Sequence, residues 1–472
     1  MIKCPNCTAQ LKFKVTDQKI KCDYCGSSFE PAELRASLNV ASEKENVEAT
    51  NTQIEEVKEE IEATSYNCDN CGATLLVYDD TAVTFCNYCG SSNVIKSRLI
   101  KQTKPDFIIP FKITREKCVE LYKKKIKSNI FAPRHMLEDV VVNNFRGIYM
   151  PYEIYNYEAN PRLSCSGRKY YKSVGNYDYY HLYTITGDLD GHVNGLSYDL
   201  VSRFHDKYSE AIGPYDYSKR KEFNPAYISG FYADSVDISS NLYGKEAEDN
   251  AEKIANSVLG KDKRFAQYGC ISPKVDMWLS DRKVAMYPVY FLGMRDKDNK
   301  NIYYAVVNGQ TGKVAIDIPI DYSRYIVISL ILAILLFIVF QGLTLNVYVP
   351  LGFSMVAAVI AFVFGRILIS NINKNKSLEN DKGYLNKTCR NIDKNTKKVK
   401  NDVGLISILC PLFGFLLPAA VMISGIVDDI YFYGAAIISC LLVLISFYDI
   451  VIKYNDLSKN KIPQLEKRGG DN

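Results

Sequence analysis

Apolar and polar positions are strongly segregated along this chain. No charged residue occurs from Tyr325 to Gly365, from Val403 to Val427, or from Ile430 to Tyr448. The first stretch holds 41 residues; at about 1.5 Å of rise each it would reach about 61 Å as helix, twice a hydrocarbon core of about 30 Å. Two passes are therefore predicted there, turning at Asn346 to Pro350, and one pass in each of the other stretches. The pattern predicts a four-helix, all-α transmembrane region: a hairpin at 325–370, a basic loop at 371–402, a second hairpin at 403–452 and a tail at 453–472.

Upstream the period shortens to two. Leu11, Phe13 and Val15 alternate with Lys12 and Lys14, and Leu75 and Val77 precede Val83 and Phe85, which fits short hairpin strands. Residues 105–322 read as an α+β domain with an antiparallel sheet, rich in tyrosine from Tyr149 to Tyr183. Val289–Leu292, Ile302–Val307 and Val314–Ile318 form a meander through the Asn308-Gly309 turn. Thr114 caps a helix running to about Ser128, with Cys118, Tyr122 and Ile126 on one face, and a second helix covers Glu246 to Leu259. Residues 36–64 are rich in glutamate and read as a solvated linker about which the flanking segments move.

Composition excludes a wholly disordered or collagen-like protein, with 47% apolar and 24% charged residues. A net charge of +5 on 472 residues does not indicate bulk polyanion binding. Cysteine usage changes the picture more. Eight of the 14 cysteines form Cys-x2-Cys-x14-Cys-x2-Cys twice, as Cys4, Cys7, Cys22, Cys25 and again, 64 positions later, as Cys68, Cys71, Cys86, Cys89. Neighbours repeat too: Tyr24-Cys25-Gly26-Ser27-Ser28 matches Tyr88-Cys89-Gly90-Ser91-Ser92. Four thiolates suit a tetrahedral Zn2+ at about 2.3 Å, so two structural zinc ribbons are expected, at 1–35 and 65–98, with no open position for catalysis. Modules this small depend on the metal for stability. Cys118, Cys165, Cys270, Cys389, Cys410 and Cys440 are isolated and read as packing thiols of a reducing compartment.

Other chemistry is sparse. His135, His181, His192 and His205 have no ligand spacing, and neither a phosphate loop nor a nucleophile elbow occurs, so no enzyme is expected. The first ribbon carries a surplus of only two positive charges, and the second has no Lys or Arg between Ser65 and Ile95, which favours protein partners over nucleic acid. No ionisable residue lies deep in a predicted span, so those spans read as anchors in the lipid bilayer. The start lacks an apolar signal core, and the loop at 371–402 has nine basic residues. By the positive-inside rule both termini are expected in the cytosol, with the spans in a bacterial plasma membrane.

Both ribbons resemble those of transcription factor B-type and rubredoxin-like proteins. The order of two Cys4 ribbons, Ile108-Ile109-Pro110-Phe111-Lys112, Gly147-Ile148-Tyr149-Met150-Pro151-Tyr152, the segment Glu222 to Phe231, Asn308-Gly309-Gln310-Thr311-Gly312-Lys313 and terminal apolar spans resembles a family of zinc-ribbon membrane proteins from Firmicutes-type bacteria. The resemblance runs from residue 1 to about 345. It implies recruitment of phage-shock-type and flotillin-like membrane-stress partners and supplies no catalytic residues; four spans depart from the simpler family pattern. The expected function is a membrane-anchored zinc-binding adaptor. The alternatives are a membrane-tethered nucleic-acid-binding protein, as primosome- or helicase-like names in the family suggest, and an enzyme with a dispersed site in the middle domain.

Overall fold

The computed structural model describes residues 3–34, 60–261, 267, 275–295, 301–341, 348–374, 405–458 and 460–461, less 32, 71, 79–82, 84–85, 90, 93, 239–241 and 425–427. The N-terminal ribbon is a three-stranded antiparallel sheet of β1 (Leu11–Lys14), β2 (Lys19–Cys22) and β3 (Ser28–Phe29). Its alternation is realised: Leu11, Phe13 and Ile20 are buried and Lys12 is exposed.

A twelve-stranded sheet forms the body. Its strands are β4 (Glu60–Cys68), β5 (Thr74–Val77), β6 (Val94–Thr103), β7 (Phe107–Ile108), β8 (Arg146–Ala159), β11 (His192–Asp199), β12 (Lys221–Glu222), β13 (Tyr232–Asp234), β14 (Met277–Arg295), β15 (Asn301–Asn308), β16 (Val314–Ile316) and β17 (Asn460–Lys461). The order is β12-β7-β14-β8-β13-β5-β4-β6, with β11 beside β8 and β15 beside β14; β16 and β17 pair with β15. β9 (Arg162–Val174) and β10 (Tyr177–Asp188) form a separate two-stranded arm. β8 and β14 are antiparallel over most of their length, from Ala159 opposite Met277 to Arg146 opposite Phe291.

Both faces of the sheet are covered, so its middle strands are buried throughout rather than alternately. One face holds Ile148, Met150, Tyr152 and Ile154 beneath Tyr208 and Ile212 of helix α2 (Asp206–Ile212). The other holds Tyr149, Phe111 and Val307 beneath α1 (Arg115–Lys127), which buries Cys118, Tyr122 and Ile126 as its spacing predicts. The Thr114 hydroxyl accepts from the Lys117 amide at 3.3 Å, and Lys124, Lys125 and Lys127 complement the helix dipole. Helix α3 (Gly244–Gly260) packs against β8, β11 and β14.

Three expectations are corrected. The acidic segment does not extend to 64, because β4 begins at Glu60; the rest of it lies outside the described residues. The second ribbon is not a separate unit at 65–98: β4, β5 and β6 are strands of the main sheet, β5 pairing with β13. Nor is the first ribbon independent. It is seated on the body by the Phe13 amide donating to the Ser229 carbonyl at 3.2 Å, by Gln18 Nε2 donating to the Phe111 carbonyl at 2.8 Å and by Asn224 Nδ2 donating to the Pro31 carbonyl at 2.7 Å. Phe13 also meets Tyr227 edge-on at 5.3 Å.

The C-terminal helices are α4 (Tyr322–Gln341), α5 (Tyr348–Lys374), α6 (Leu405–Ile423) and α7 (Asp429–Ser458). Among the described residues two stretches, not four, are long and apolar enough to cross a membrane: Tyr348–Ile367 and Ile430–Asn455. The described apolar runs of α4 and α6, Tyr322–Ile331 and Ile408–Ile423, fall short of the about 20 residues a span needs. α6 and α7 pack against each other as the second hairpin predicts, and α5 packs against both of them. Small residues permit close approach: Ala358 and Ala361 meet Val443, and the Ser439 hydroxyl donates to the Gly414 carbonyl. Asn346, residues 375–402 of the basic loop and the tail beyond 461 lie outside the described residues.

Candidate metal centres

Each half of a cysteine site is a tight turn. In the first ribbon the Thr8 amide donates to the Cys4 carbonyl and the Cys4 amide to the Ala9 carbonyl, both at 2.8 Å; Gly26 donates to Cys22 at 3.0 Å and Cys22 to Ser27 at 2.9 Å. The same bonds recur 64 residues later, from Gly72 to Cys68 and Cys68 to Ala73 at 2.8 Å, and from Cys86 to Ser91 at 2.7 Å. These turns need left-handed backbone. Gly26 has φ +74° and Gly72 +73°, whereas Thr8, at the position matching Gly72, accepts φ 61° with a β-branched side chain.

The turns bring Cys4, Cys7, Cys22 and Cys25 together with all four Sγ atoms within 4.8 Å of one another. Cys4 Sγ lies 3.6 Å from Cys25 Sγ, and Cys7 Sγ lies 3.4 Å from Cys22 Sγ. Four sulfurs at about 2.3 Å around a tetrahedral ion would stand about 3.8 Å apart, so the donor set fits a four-coordinate metal. The Ser27 hydroxyl, 3.1 Å from Cys25 Sγ, pulls that thiol down to about 6, whereas Cys7 in the same cluster is pushed up to about 12, since adjacent thiols do not all ionise side by side. At the second site Cys68, Cys86 and Cys89 converge in the same way, with Cys68 Sγ and Cys89 Sγ 3.6 Å apart. Cys71 lies outside the described residues.

The two sites differ in setting. Cys25 is exposed, while Cys68, Cys86 and Cys89 are all buried. The turn of Cys86-Asn87-Tyr88-Cys89 is packed into the sheet: the Tyr304 hydroxyl donates to the Tyr88 carbonyl at 3.0 Å and Arg295 Nε donates to the Cys89 carbonyl. The Tyr88 ring is fully buried against Phe291, 5.3 Å away, and its hydroxyl donates to Asp234, which also receives Arg203 Nη2 at 3.1 Å. Burial pushes the Asp234 carboxyl up, against the opposing pull of Arg203, and holds the Tyr88 hydroxyl well above its ordinary range. In the first ribbon the matching Tyr24 is 84% exposed.

Sequence reasoning located the cysteines but missed Tyr88, Asp234, Arg203, Arg295 and Tyr304. A signal was present, because Asp23-Tyr24 of the first repeat becomes Asn87-Tyr88 in the second, a charge removed where the turn is buried. The positive surplus of the first ribbon is largely neutralised: Asp23 pairs with Lys12 at 3.3 Å and Lys14 at 3.0 Å, and Glu30 pairs with Lys19 at 3.0 Å. Asp17 pairs with Lys21 as well. His205 is buried between Tyr208 and Tyr304, and His181 lies against Tyr171 on the arm; neither joins a cysteine site. Cys118 is a buried free thiol as expected, but Cys165 is disulfide-bonded, against the expectation that all six isolated cysteines are packing thiols. Cys270 and Cys389 lie outside the described residues.

A shallow cavity of 290 Å³ lies by Phe107, Tyr217, Arg220, Asp281 and Lys283. Its charges are already engaged, Lys283 with Asp281 at 2.9 Å and Arg220 over the Tyr217 ring at 4.2 Å.

No family model matches the chain, and no solved structure matches it. A Bacillus subtilis (strain 168) protein, "Uncharacterized protein YdjG", is 24% identical over 333 residues, covering 68% of this chain and 91% of the relative.

Proposed function

We propose that the chain is a zinc-binding scaffold, anchored in a bacterial plasma membrane and recruiting protein partners through its first ribbon, rather than an enzyme. The observation that carries this reading is the contrast between Tyr88 and Tyr24. One copy of the repeated turn is inserted into a protein core, its tyrosine fully buried, while the other presents the same tyrosine 84% exposed. A tyrosine on a rigid, metal-braced turn is a good interface anchor: it adds large amphipathic area and little conformational entropy is lost on docking. Zinc is assigned because four thiolates with no open position match its preferred closed structural site.

The membrane reading rests on the apolar helices and on where their ends lie. Asn455, near the end of α7, donates from Nδ2 to the Ile320 carbonyl at 2.8 Å and accepts from the Ile320 amide at 2.7 Å, just before α4 begins. β17, beyond α7, pairs with β15 of the body. The chain therefore returns to the side it left, as two or four crossings require and one or three forbid. With four crossings the basic residues at 371–402 lie on that same side and favour the cytosol for it; with crossings at α5 and α7 alone they lie on the opposite side. The Cys165 disulfide pulls the other way, since such bonds are rare in reducing compartments; a topology reporter fused after Asn472 decides between them.

The resemblance of the ribbons and body favours phage-shock-type or flotillin-like membrane proteins as partners. Against nucleic acid stands the pairing of Lys12, Lys14, Lys19 and Lys21 with acidic neighbours. A photo-crosslinking residue at position 24 of the full chain, in intact cells, should yield adducts with membrane-associated protein that persist at high salt and vanish in Cys25→Ser. Absence of adducts, or DNA binding by the purified chain with a steep salt slope, overturns the recruitment reading.

A further inference from the structure

At the end of α1, charge and bare apolar surface meet at the level of the apolar helices. The helix runs towards them. At its start the Ile113 amide donates to the Gly309 carbonyl at 2.9 Å, just past the end of β15, whereas the Tyr122 hydroxyl lies 3.3 Å from Met294 Sδ, and Met294 faces Tyr303 near the beginning of that strand. The beginning of β15 is also where β17 pairs, after α7. The turn that follows α1 touches the base of the apolar helices directly. The Phe131 carbonyl accepts from the Asp321 amide at 2.8 Å, the Ala132 carbonyl accepts from Arg324 Nη1 at 2.6 Å, and the Phe131 ring lies 5.7 Å from that of Tyr325. Tyr325 opens the first uncharged run, and Ile320, one residue before Asp321, is held by Asn455 at the end of the apolar stretch of α7. Residues 129–132 therefore sit where α7 would pass from hydrocarbon into the headgroup layer, the depth that tyrosine favours.

Ile130, in the middle of that turn, is 67% exposed. Lys124, Lys125 and Lys127 in the last turn of α1 and Arg134 beyond the loop are exposed too, and among the described residues no ion pair engages them; Lys123 pairs with Asp139 at 3.3 Å. From Leu121 to Val142 five basic residues stand against two acidic ones. Their spacing sets the three lysines around the helix rather than along one face, so what they share is its end, the part nearest the apolar helices. We propose that the end of α1 and the loop at 129–134 bind the headgroups of anionic phospholipid, with Ile130 set among the upper acyl carbons. The proposal rests on the membrane reading above. Two observations select this occupant. An apolar side chain stands within the cationic cluster: nucleic acid would leave Ile130 in water, whereas a bilayer surface covers it and neutralises the cations together. The second is continuity, since any bilayer crossed by α7 ends beside residues 129–132. Such contact would fix the tilt of the body on the membrane and make it respond to the anionic content of the leaflet.

The test places the full chain in nanodiscs of phosphatidylcholine, with and without phosphatidylglycerol, whose acyl chains carry a bromine quencher. An environment-sensitive fluorescent residue is introduced at position 130 or, for reference, at position 437 of α7, where Ile437 is 61% exposed. Fluorescence at 437 should be quenched in both discs, and at 130 more strongly in those containing phosphatidylglycerol. Lys124→Gln/Lys125→Gln/Lys127→Gln should return position 130 to its level in the zwitterionic discs, each neutralised lysine lowering the ratio of docked to undocked chains about fivefold. High salt should act in the same direction. Circular dichroism and metal content should not change, because glutamine matches lysine in helix propensity. Quenching at 437 without quenching at 130, or equal quenching at 130 in both discs, overturns the proposal and leaves the membrane reading standing. Absence of quenching at 437 overturns both. An oligonucleotide complex that the triple variant loses, with no quenching at 130, overturns the proposal in favour of nucleic acid.

Discussion

Gly293→Ala tests whether the second metal site and the sheet are one structure. Gly293 lies on β14 beneath the Cys86–Cys89 turn, and a Cβ there would stand 2.8 Å from the Asn87 carbonyl oxygen and 3.3 Å from that of Tyr88, with the Ile302 methyl at 3.1 Å. Ordinary contact begins at 3.4 Å, and two of these neighbours are backbone, which cannot swing aside. The turn must withdraw by about 0.6 Å, and overpacking of this kind costs about 1–3 kcal/mol. If that strain is relieved when the metal leaves, the second ion's apparent affinity falls by about 5- to 150-fold. The melting temperature of a body this size drops by about 2–4 °C per kcal/mol. Gly309→Ala is the control, since its Cβ would strike the Phe111 ring at 2.5 Å and Pro288 at 2.9 Å, away from either cysteine site. Metal transfer from the full chain to a chromophoric chelator should show one rapid and one slow equivalent. The slow phase should accelerate in Gly293→Ala and not in Gly309→Ala. Equal losses of melting temperature with an unchanged slow phase in both would refute the coupling of turn and sheet.

Cys25→Ser should lose about one metal equivalent and keep the other, measured by elemental analysis of the full chain; two equivalents retained would contradict the assignment of the first site. Acidification should release the first ion before the second. Cys25 is exposed, so protons compete directly with the metal for its sulfur. Protons reach Cys68, Cys86 and Cys89 only after local opening, because all three are buried; simultaneous release in a pH titration would count against this order. Arg203→Met leaves the Asp234 carboxylate buried without its 3.1 Å guanidinium partner and should cost about 3–5 kcal/mol. Asp234→Asn in the same chain should restore part of the loss, and an unchanged melting temperature in the single variant would show that the pair is not structural.

Features set by local chemistry were legible in the sequence. Thr114 caps its helix, Cys118, Tyr122 and Ile126 share one buried face, and the meander turns at Asn308, whose Oδ1 accepts from the Gln310 and Thr311 amides at 2.8 and 2.9 Å. Assembly over long sequence separations was not legible. Nothing within residues 65–98 says that β5 will pair with β13, more than 150 residues away, and the Tyr88–Asp234–Arg203 contact depends on that pairing. Tyrosine density was informative only in part. Tyr149, Tyr152, Tyr155 and Tyr157 are buried on β8, whereas Tyr170, Tyr171, Tyr177 and Tyr179 stand exposed on the arm, and the same residue in the same pleated setting gives no sign of which.

Position-by-position comparison of the two repeats shows how one module took on two roles. Lys12, Lys14, Lys19 and Lys21 of the first ribbon correspond, 64 residues on, to Leu76, Tyr78, Val83 and Phe85, and Asp23 corresponds to Asn87. Every one of these changes replaces a charge with an uncharged side chain. The cysteines are kept in the sequence, and among the described residues three of the four turn bonds and the left-handed backbone shared by Thr8 and Gly72 are kept as well. What differs is the outer surface, solvated by paired charges in one copy and buried in the other, where Leu76 is fully buried and Val83 nearly so. Burying four lysines would require each to lose its hydration or find a partner, so the first ribbon cannot take the second's place in the sheet. Conversely, the second ribbon detached from the body would expose Leu76, Val83 and Tyr88 together. A metal held by the second copy would therefore stabilise the body from within. In the first it would brace a small ribbon seated through Phe13 on Tyr227, with Tyr24 facing outward.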